Sequence, residues 1–167
     1  MSASKDGAAG FDCIIALGSN LGDKTGNIDK AIELLAERGD IHLVARSRNF
    51  ATEPWGKLDQ DWFVNACIGV ATKLKPRKLL VRCKDIERRM GRVVTEKWGP
   101  RVIDLDLLVY RDAVMNGPDL VLPHPHMGDR AFVLAPLMDI APDLVVRGKS
   151  VRELFATIGQ AGVRTLV

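Results

Sequence analysis

Hydrophobic and polar residues follow two different periods along the chain, and the change of period predicts a mixed order of strands and helices. Apolar runs that predict strands occupy residues 12–17, 41–50 and 63–74, and a further strand contains Asp104 and Asp106. Apolar residues at helical spacing predict two amphipathic helices, with Ile28, Ala31, Ile32 and Leu35 in the first and Leu79, Leu80, Cys83, Ile86 and Met90 in the second. The order is βαββαβ, which favours an α+β fold with a largely antiparallel sheet and helices on one face.

Glycine and proline mark the ends of these elements. Gly39 and Gly91 follow the two helices, and Pro76 suits the first turn of the second helix. Residues 51–61 and 92–101 show no period and are predicted loops.

The last third of the chain carries three further signals. The tripeptide at 116–118, Asn-Gly-Pro, predicts a hairpin within 113–121. Asp129 is a candidate cap for a short helix that reaches Met138. Ser150 and Glu153 have the spacing of a capping box, which predicts a final helix.

The segment most informative about chemistry is 98–110, with the sequence WGPRVIDLDLLVY. Side chains alternate faces along a strand, so Asp104 and Asp106 point the same way. The residues predicted to point the other way are Ile103, Leu105, Leu107 and Val109. Two like charges on one face of an apolar strand repel each other and resist burial, so they need a positive partner.

A magnesium ion is one such partner, because it takes oxygen ligands from one or two carboxylates and keeps room for water and phosphate. Arg101 then becomes a candidate phosphate contact. The alternative is a pair of edge-strand carboxylates that face water or Arg101.

Composition limits the other possibilities. The 167 residues suffice for one domain, expected over 11–167 after a flexible tail at 1–10, and 47% hydrophobic with 27% charged residues is typical of a globular protein. No apolar run has the length of a membrane span and no signal peptide is visible, so we expect a cytoplasmic protein. The three cysteines are predicted core thiols of a reducing compartment, and these are Cys13, Cys67 and Cys83.

Positive charge is concentrated immediately before the aspartate pair. Residues 82–101 hold seven basic and three acidic side chains, a net charge of +4, while the whole chain carries +3 and the remainder therefore −1. Such a concentration is expected where a polyanion is held against a metal.

Other motifs permit more than one interpretation. The glycines of residues 18–25 do not have P-loop spacing, so this segment is predicted to be a strand-to-helix turn. His124 and His126 could bind a transition metal, although loop histidines are the commoner case. Phe63 and Asn65 share a strand face. Phe63 alone is typical of a core residue, but an aromatic ring beside an amide would also suit a flat heterocycle.

Two other classes of protein compete with a nucleotide-dependent enzyme. Basic α+β domains often bind RNA, but this chain has only six Phe and Tyr residues and lacks an aromatic-rich RNA-binding pattern. A metal-dependent phosphatase would also need carboxylates and would release inorganic phosphate.

Several segments together resemble the 6-hydroxymethyl-7,8-dihydropterin pyrophosphokinases, enzymes of folate biosynthesis. They run in family order and cover residues 16–22, 52–56, 63–65, 91–92, 98–106, 122–124, 130–132 and 140–142. The most specific is Gly-Pro-Arg-x-x-Asp-x-Asp at 99–106. The resemblance implies a ferredoxin-like α+β sandwich, and it implies transfer of pyrophosphate from ATP to the pterin hydroxymethyl group with release of AMP. It also implies a single-function enzyme without a fused synthase domain.

The resemblance also implies roles for individual residues. Asp104 and Asp106 would hold two Mg²⁺ ions, and the catalytic arginines would be Arg92 and Arg101. The pterin-binding residues would be Thr52, Pro54, Trp55, Phe63, Asn65 and Phe132. The ATP-binding residues would be Lys84, Glu87, Trp98, Leu107, His124 and Arg130. The expected partners are the two small-molecule substrates, with no nucleic acid, no membrane and a monomeric protein.

Overall fold

A computed structural model describes residues 10–54, 61–91 and 100–166 of the chain. Its centre is a six-stranded antiparallel sheet, and the strands are β1 (Cys13–Ser19), β2 (Ile41–Arg46), β3 (Phe50–Thr52), β4 (Phe63–Thr72), β5 (Asp104–Tyr110) and β10 (Val163–Thr165). The main path of the sheet runs in the order β10, β3, β4, β1, β5. Strands β2 and β3 pair with successive stretches of the same edge of β4. The aspartate strand β5 thus lies beside β1, with β4 on the other side of β1.

Four helices and two small hairpins complete the described fold. The helices are α1 (Lys24–Ala36), α2 (Pro76–Arg89), α3 (Ala131–Ile140) and α4 (Val151–Ile158). The hairpins are β6 (Met115–Asn116) with β7 (Val121–Leu122), and β8 (Val145–Val146) with β9 (Lys149–Ser150). No helix among the described residues is both long and apolar enough to cross a membrane.

Helices cover both faces of the sheet, whereas the sequence pattern predicted one covered face. The residues of β1 and β4 that point to one face of the sheet and those that point to the other are both mostly apolar. Both faces are therefore covered by helices. Ile15 and Leu17 face α1 and α2, while Ile14 and Cys67 face α3 and α4. The cleft described below lies on the α3 side, where the second layer of helices leaves part of the sheet uncovered.

A β-bulge interrupts the alternation of β5. Ile15 pairs with Leu107 and Ile14 with Val109, so Leu108 is the extra residue. Leu107 keeps its place in the core under α1 and α2, but Leu108 and Val109 both pack on the α3 side. The prediction that Val109 shares a face with Leu107 is therefore wrong, and the predicted orientation holds for residues 103–107.

Of the other local predictions, some are wrong and some are confirmed. Residues 18 and 19 continue β1 instead of starting a turn, β3 lies in part of the predicted loop 51–61, and β10 was not predicted. Helix α3 starts after Arg130 with no side-chain cap, so Asp129 is not its cap. The capping box of α4 is confirmed, since Ser150 Oγ accepts from the N–H of Glu153 at 3.1 Å and Glu153 Oε1 accepts from the N–H of Ser150 at 3.0 Å. The three cysteines are buried free thiols, as predicted.

Candidate active site

A cleft opens on the α3 side of the sheet above β1, β4 and β5. It contains about 810 Å³ of space, counting the part that is open to solvent. It is lined by Ala16, Leu17, Gly18, Thr52, Glu53, Phe63, Asn65, Ala66, Arg101, Asp104, Asp106, Leu108, His124, Arg130, Phe132 and Val133. Most of its polar side chains therefore come from strand ends and from the segments directly before β5 and α3.

The register of the sheet sets which side chains meet across the cleft floor. Gly18 pairs with Asn65 on one side and with Asp104 on the other, and Ala16 pairs with Asp106. Neighbouring strands are about 4.8 Å apart, so the backbones of Asn65 and Asp104 lie roughly 10 Å from each other across β1. Small residues on the middle strand leave this space open for a ligand.

Gly18 lines the cleft, although the sequence pattern placed it in a predicted turn and the resemblance gave it no role of its own. A Cβ atom on Gly18 would lie 2.6 Å from Oδ1 of Asn65, closer than two such atoms can approach. The glycine therefore permits the position that the Asn65 amide occupies. The signal available in the sequence was the alternation of small residues, Ala16 and Gly18, along an otherwise bulky strand.

The β4 side of the cleft presents an amide and an aromatic ring. Asn65 and Thr52 are both buried, and Nδ2 of Asn65 donates to Oγ1 of Thr52 at 2.5 Å. With Nδ2 directed toward Thr52, the amide oxygen Oδ1 of Asn65 lies over Gly18. The half-buried ring of Phe63 lies two residues earlier on the same strand face.

The β5 side presents the two carboxylates and an arginine. Asp104 and Asp106 both line the cleft, and Nη1 of Arg101 lies 3.4 Å from Oδ1 of Asp104. The Arg101 and Asp104 side chains are 24% and 28% exposed, so a ligand in the cleft can reach both.

The carboxylate oxygens of Asp104 and Asp106 suit a magnesium ion whose other ligands come from water or from a bound substrate. Within residues 10–54, 61–91 and 100–166, no three Asp, Glu, His or Cys side chains converge in a way that could hold a metal ion. An ion held by the carboxylates of Asp104 and Asp106 would therefore complete its shell with water or phosphate oxygens, which is the usual environment of protein-bound Mg²⁺.

His124 lines the cleft as a neutral imidazole. Burial, followed by the nearby positive charge of Arg130 and by the neighbouring ring of His126, lowers the pKa of His124 to about 4. Nδ1 of His124 accepts a hydrogen bond from the backbone N–H of His126 at 3.1 Å. The remaining proton of a neutral ring then lies on Nε2, so His124 can donate a hydrogen bond but carries no charge at neutral pH.

Arg130 and Phe132 lie at the start of α3. The Arg130 guanidinium is 5.7 Å from the centre of the Phe132 ring, within cation–π range. Burial lowers the pKa of Arg130, but a guanidinium remains protonated at neutral pH. This end of the cleft therefore combines an aromatic face with a positive charge.

Four predicted contacts lie outside the cleft lining. Leu107 was predicted to bind ATP, but the residue is 3% exposed and its side chain packs in the core beneath α1 and α2, because it alternates with Asp106 on the strand. Glu87 and Lys84 of α2 lie on that same side of the sheet, where Oε2 of Glu87 accepts the N–H of Leu105 at 2.8 Å. Pro54 is buried and does not line the cleft. Three further predicted residues, Trp55, Arg92 and Trp98, lie outside the described residues.

Glu87 therefore supports the cleft from behind. Glu87 is 3% exposed, and its carboxylate accepts the N–H of Leu105, the residue between Asp104 and Asp106. Nζ of Lys84 lies 3.4 Å from Oε1 of Glu87, which compensates part of the buried charge. The family resemblance implied that Glu87 binds ATP, whereas its contact with the β5 backbone becomes visible only from the packing of α2 on β5.

Comparisons with known proteins point to one family. The family profile described as 7,8-dihydro-6-hydroxymethylpterin-pyrophosphokinase (HPPK) matches residues 14–142. The chain is 49% identical over 149 residues to the 2-amino-4-hydroxy-6-hydroxymethyldihydropteridine pyrophosphokinase of Methylorubrum extorquens, covering 89% of this chain and 94% of that protein. The enzyme of the same name from Pseudomonas aeruginosa is 40% identical over 153 residues, with 91% and 94% covered.

Solved structures support the fold independently. A crystal structure of HPPK-DHPS in complex with substrates has a TM-score of 0.68 at 14% identity, covering 88% of this chain and 43% of that one. Plasmodium falciparum HPPK-DHPS with pterin and p-hydroxybenzoate has a TM-score of 0.69 at 16% identity, with 88% and 41% covered. The chain thus spans less than half of these longer proteins. The profile match and the two bacterial relatives establish that the chain belongs to the 7,8-dihydro-6-hydroxymethylpterin pyrophosphokinase family.

Proposed function

We propose that this protein transfers the pyrophosphoryl group of ATP to the hydroxymethyl oxygen of 6-hydroxymethyl-7,8-dihydropterin and releases AMP. The observation that carries the proposal is the arrangement of one cleft, in which the amide–hydroxyl pair of Asn65 and Thr52 faces the carboxylates of Asp104 and Asp106 across β1. A pterin has a flat ring edged with hydrogen-bonding groups, and ATP has a polyphosphate that binds divalent cations. The two sides of the cleft match these two chemistries.

The β4 side is the proposed pterin site. The buried amide of Asn65 supplies directional hydrogen bonding, and Phe63 and Phe132 supply aromatic faces for the ring. Thr52 acts by orienting Asn65. Pro54 and Trp55 belong to the same proposed site through the family resemblance alone.

The β5 side is the proposed phosphate site. Asp104 and Asp106 are the residues that would hold magnesium, and we propose two ions. When bound, such ions neutralise phosphate charge and lower the pKa of an attacking hydroxyl. Arg101 lies beside Asp104 and adds a positive charge on the same side of the cleft. Arg92 would add a second one through the resemblance, and it lies outside the described residues.

His124 and Arg130 are the proposed nucleotide contacts. The neutral His124 ring offers its Nε2 proton to an oxygen or ring nitrogen without adding charge, while Arg130 offers a guanidinium. Trp98 belongs to this set by resemblance. Lys84, Glu87 and Leu107 act on the far side of the sheet, so we assign them support of β5 instead of direct side-chain contact with ATP.

The reaction asks for charge neutralisation and alignment more than for a strong base. Phosphoryl transfer proceeds through a loose transition state with charge spread over the phosphate oxygens. Residues that hold the hydroxymethyl oxygen in line with the β-phosphorus convert a bimolecular encounter into an intramolecular step. Asn65, Phe63 and Phe132 would fix the acceptor, while Arg101 and Arg130 would fix the donor.

The decisive experiment is identification of the nucleotide product. The protein is mixed with ATP, Mg²⁺ and the reduced hydroxymethylpterin, and the nucleotides are separated. AMP with stoichiometric pterin diphosphate supports the proposal. Formation of ADP would indicate an ordinary kinase, and inorganic phosphate without pterin modification would indicate a phosphatase. Either of those products would overturn it.

The proposal extends to the oligomeric state, the cellular location, the domain organisation and the partners of the protein. We propose a monomeric, cytoplasmic enzyme with a single catalytic domain over 11–167, acting on small molecules and on neither nucleic acid nor membrane. Sedimentation of the purified protein tests the oligomeric state, since a mass of about 18.3 kDa is expected for the monomer.

A further inference from the structure

Asn20 lies directly after β1, beside the cleft but outside its lining. Its side chain is buried, with the residue only 2% exposed. A buried amide must satisfy its hydrogen-bonding groups, and here it does so on two separate chain segments that both lead to the cleft. Neither the family resemblance nor the lining of the cleft assigns a role to Asn20.

The first of these segments contains Arg101. The backbone N–H of Asn20 donates to the carbonyl of Arg101 at 3.0 Å, and Oδ1 of Asn20 accepts from the N–H of Arg101 at 2.8 Å. Asn20 thus binds both the N–H and the carbonyl of Arg101, and Arg101 lies three residues before Asp104. The start of the arginine side chain is fixed relative to the carboxylate that its guanidinium meets.

The second segment leads into β4. Nδ2 of Asn20 donates to the carbonyl of Asp61 at 3.2 Å, two residues before Phe63. Nζ of Lys24 donates to the carbonyl of the intervening residue, Trp62, at 2.9 Å. The Asn20 side chain therefore connects Arg101, on the proposed phosphate side, to the segment that precedes Phe63 on the proposed pterin side.

We propose that Asn20 is a positioning residue for the transfer reaction, which fixes Arg101 through Oδ1 and the segment before Phe63 through Nδ2. This inference rests on the proposed function. An arginine is a long, flexible side chain, and its guanidinium reaches a phosphate in the right geometry only if its backbone is held. A displacement of about 1 Å at such a group can reduce turnover by about 10²-fold.

A double-mutant cycle tests the coupling to Arg101. Steady-state kinetics are measured for the wild type, Asn20→Ala, Arg101→Ala and the double variant. We expect Asn20→Ala to lower kcat by roughly 10-fold to 10²-fold in the wild type, but by less than about 3-fold when Arg101 is already absent. Equal losses in both backgrounds would overturn the proposal, since Asn20 would then act independently of Arg101.

Asn27→Ala is the matched control. Asn27 lies in the first turn of α1, and its side-chain amide braces the turn that follows β1, where Nδ2 donates to Ser19 Oγ at 3.2 Å and to the carbonyl of Leu21 at 2.8 Å. Its removal measures the general effect of weakening this turn. A kcat loss as large as that of Asn20→Ala would assign the effect to the turn as a whole and contradict the proposal.

Asn20→Asp separates the two contacts and serves if Asn20→Ala does not fold. It keeps an oxygen for the N–H of Arg101 but places a second oxygen against the carbonyl of Asp61. We expect the KM for the pterin to rise several-fold more than the KM for ATP. An unchanged pterin KM with a reduced kcat would overturn the part of the proposal that concerns the contact with Asp61. Absence of AMP from the wild-type reaction would instead refute the proposed function itself, so the two failures are distinguishable.

Discussion

At the scale of single residues, the cleft depends on a glycine as much as on charged groups. Gly18 pairs with Asn65 and Asp104, the residues through which the two sides of the cleft face each other. A larger residue there would occupy the position of the Asn65 amide. This relation could not be read from the sequence, because it needs the register of three strands that are far apart along the chain.

Gly18→Ala tests the role of that glycine. The added methyl would lie 2.6 Å from Oδ1 of Asn65, so the amide must turn away or its bond to Thr52 must break. We expect the KM for the pterin to rise by about 10-fold, equivalent to about 1.4 kcal/mol, with a smaller effect on the KM for ATP. Ala16→Gly, on the same strand face, is the control for altered strand stability. Equal effects on the two substrates would contradict the assignment of Asn65 to the pterin.

His124→Gln tests whether His124 acts as an uncharged donor. The folded-state pKa of about 4 lies below the ordinary value of 6.5, so the ring loses its proton as pH rises through about 4 and stays neutral above it. Glutamine keeps an N–H donor that does not titrate. We therefore expect the pH–kcat profile of the variant between pH 5.5 and 8 to have the shape of the wild-type profile. Disappearance of an ionisation in that interval would show that His124 titrates during turnover.

The same shift also affects stability. The unfolded chain binds a proton on His124 below its ordinary pKa, while the folded protein does not until the pH approaches 4. Acidification between these values therefore favours the unfolded state through this group. His124→Gln should reduce the loss of unfolding free energy over that interval, as measured by urea denaturation.

At the scale of elements, the sequence predicted helices better than it predicted the ends and faces of strands. The apolar stripes of α1 and α2 and the capping box of α4 are local signals and were correct. The bulge in β5 arises from pairing with β1, so no pattern within β5 alone reveals that Val109 changes face. Strand β10 depends in the same way on pairing with β3.

One ion pair connects α3 to the segment between β2 and β3. The Arg48 backbone N–H and guanidinium both bind Asp139, at 2.9 to 3.0 Å, and the Asp139 side chain is 17% exposed. The hydrogen bond from the Arg48 side chain, the largest contribution, holds the pKa of Asp139 below its ordinary value. The contact thus stabilises the folded state when Asp139 is ionised.

Asp139→Asn tests this contact through its pH dependence. A carboxyl with a lowered folded-state pKa contributes stability above its unfolded pKa, and the contribution is lost as pH falls through the folded value. We expect the wild type to exceed Asp139→Asn in unfolding free energy at pH 7, with the difference shrinking below about pH 4. Asp143→Asn, at an 85% exposed side chain paired with Arg152, is the control and should have little effect. A difference that persists unchanged at pH 3 would contradict this account.

At the scale of the whole molecule, the site is assembled from strand ends that the sheet brings together. The sequence predicted the carboxylates of β5 and the Phe63–Asn65 pair, because period-two alternation within one strand is enough to place them. The resemblance supplied His124, Arg130 and Phe132, whose segments have no period of their own. Gly18, Asn20 and the backbone contact of Glu87 became visible only when separate segments were packed together.

Binding of nucleotide with magnesium should stabilise the whole fold, because the cleft joins β1, β4, β5 and the start of α3. At a concentration of a non-transferable ATP analogue of about 100 times its Kd, linkage gives about 2.7 kcal/mol, which corresponds to a rise in Tm of roughly 5–10 °C for a chain of this size. EDTA should abolish most of this rise, since the analogue would lack the cations that Asp104 and Asp106 are proposed to bind.

Asp106→Asn is the variant that assigns the effect to the aspartate strand. It has nearly the same shape as the wild type, and we expect it to lose both AMP formation and the magnesium-dependent part of the Tm rise, while the Tm of the free protein changes little. Asp129→Asn, an exposed carboxylate near the cleft that does not line it, is the control and should retain both. A full magnesium-dependent Tm rise in Asp106→Asn would place the cation elsewhere and remove the physical basis for assigning phosphate binding to β5.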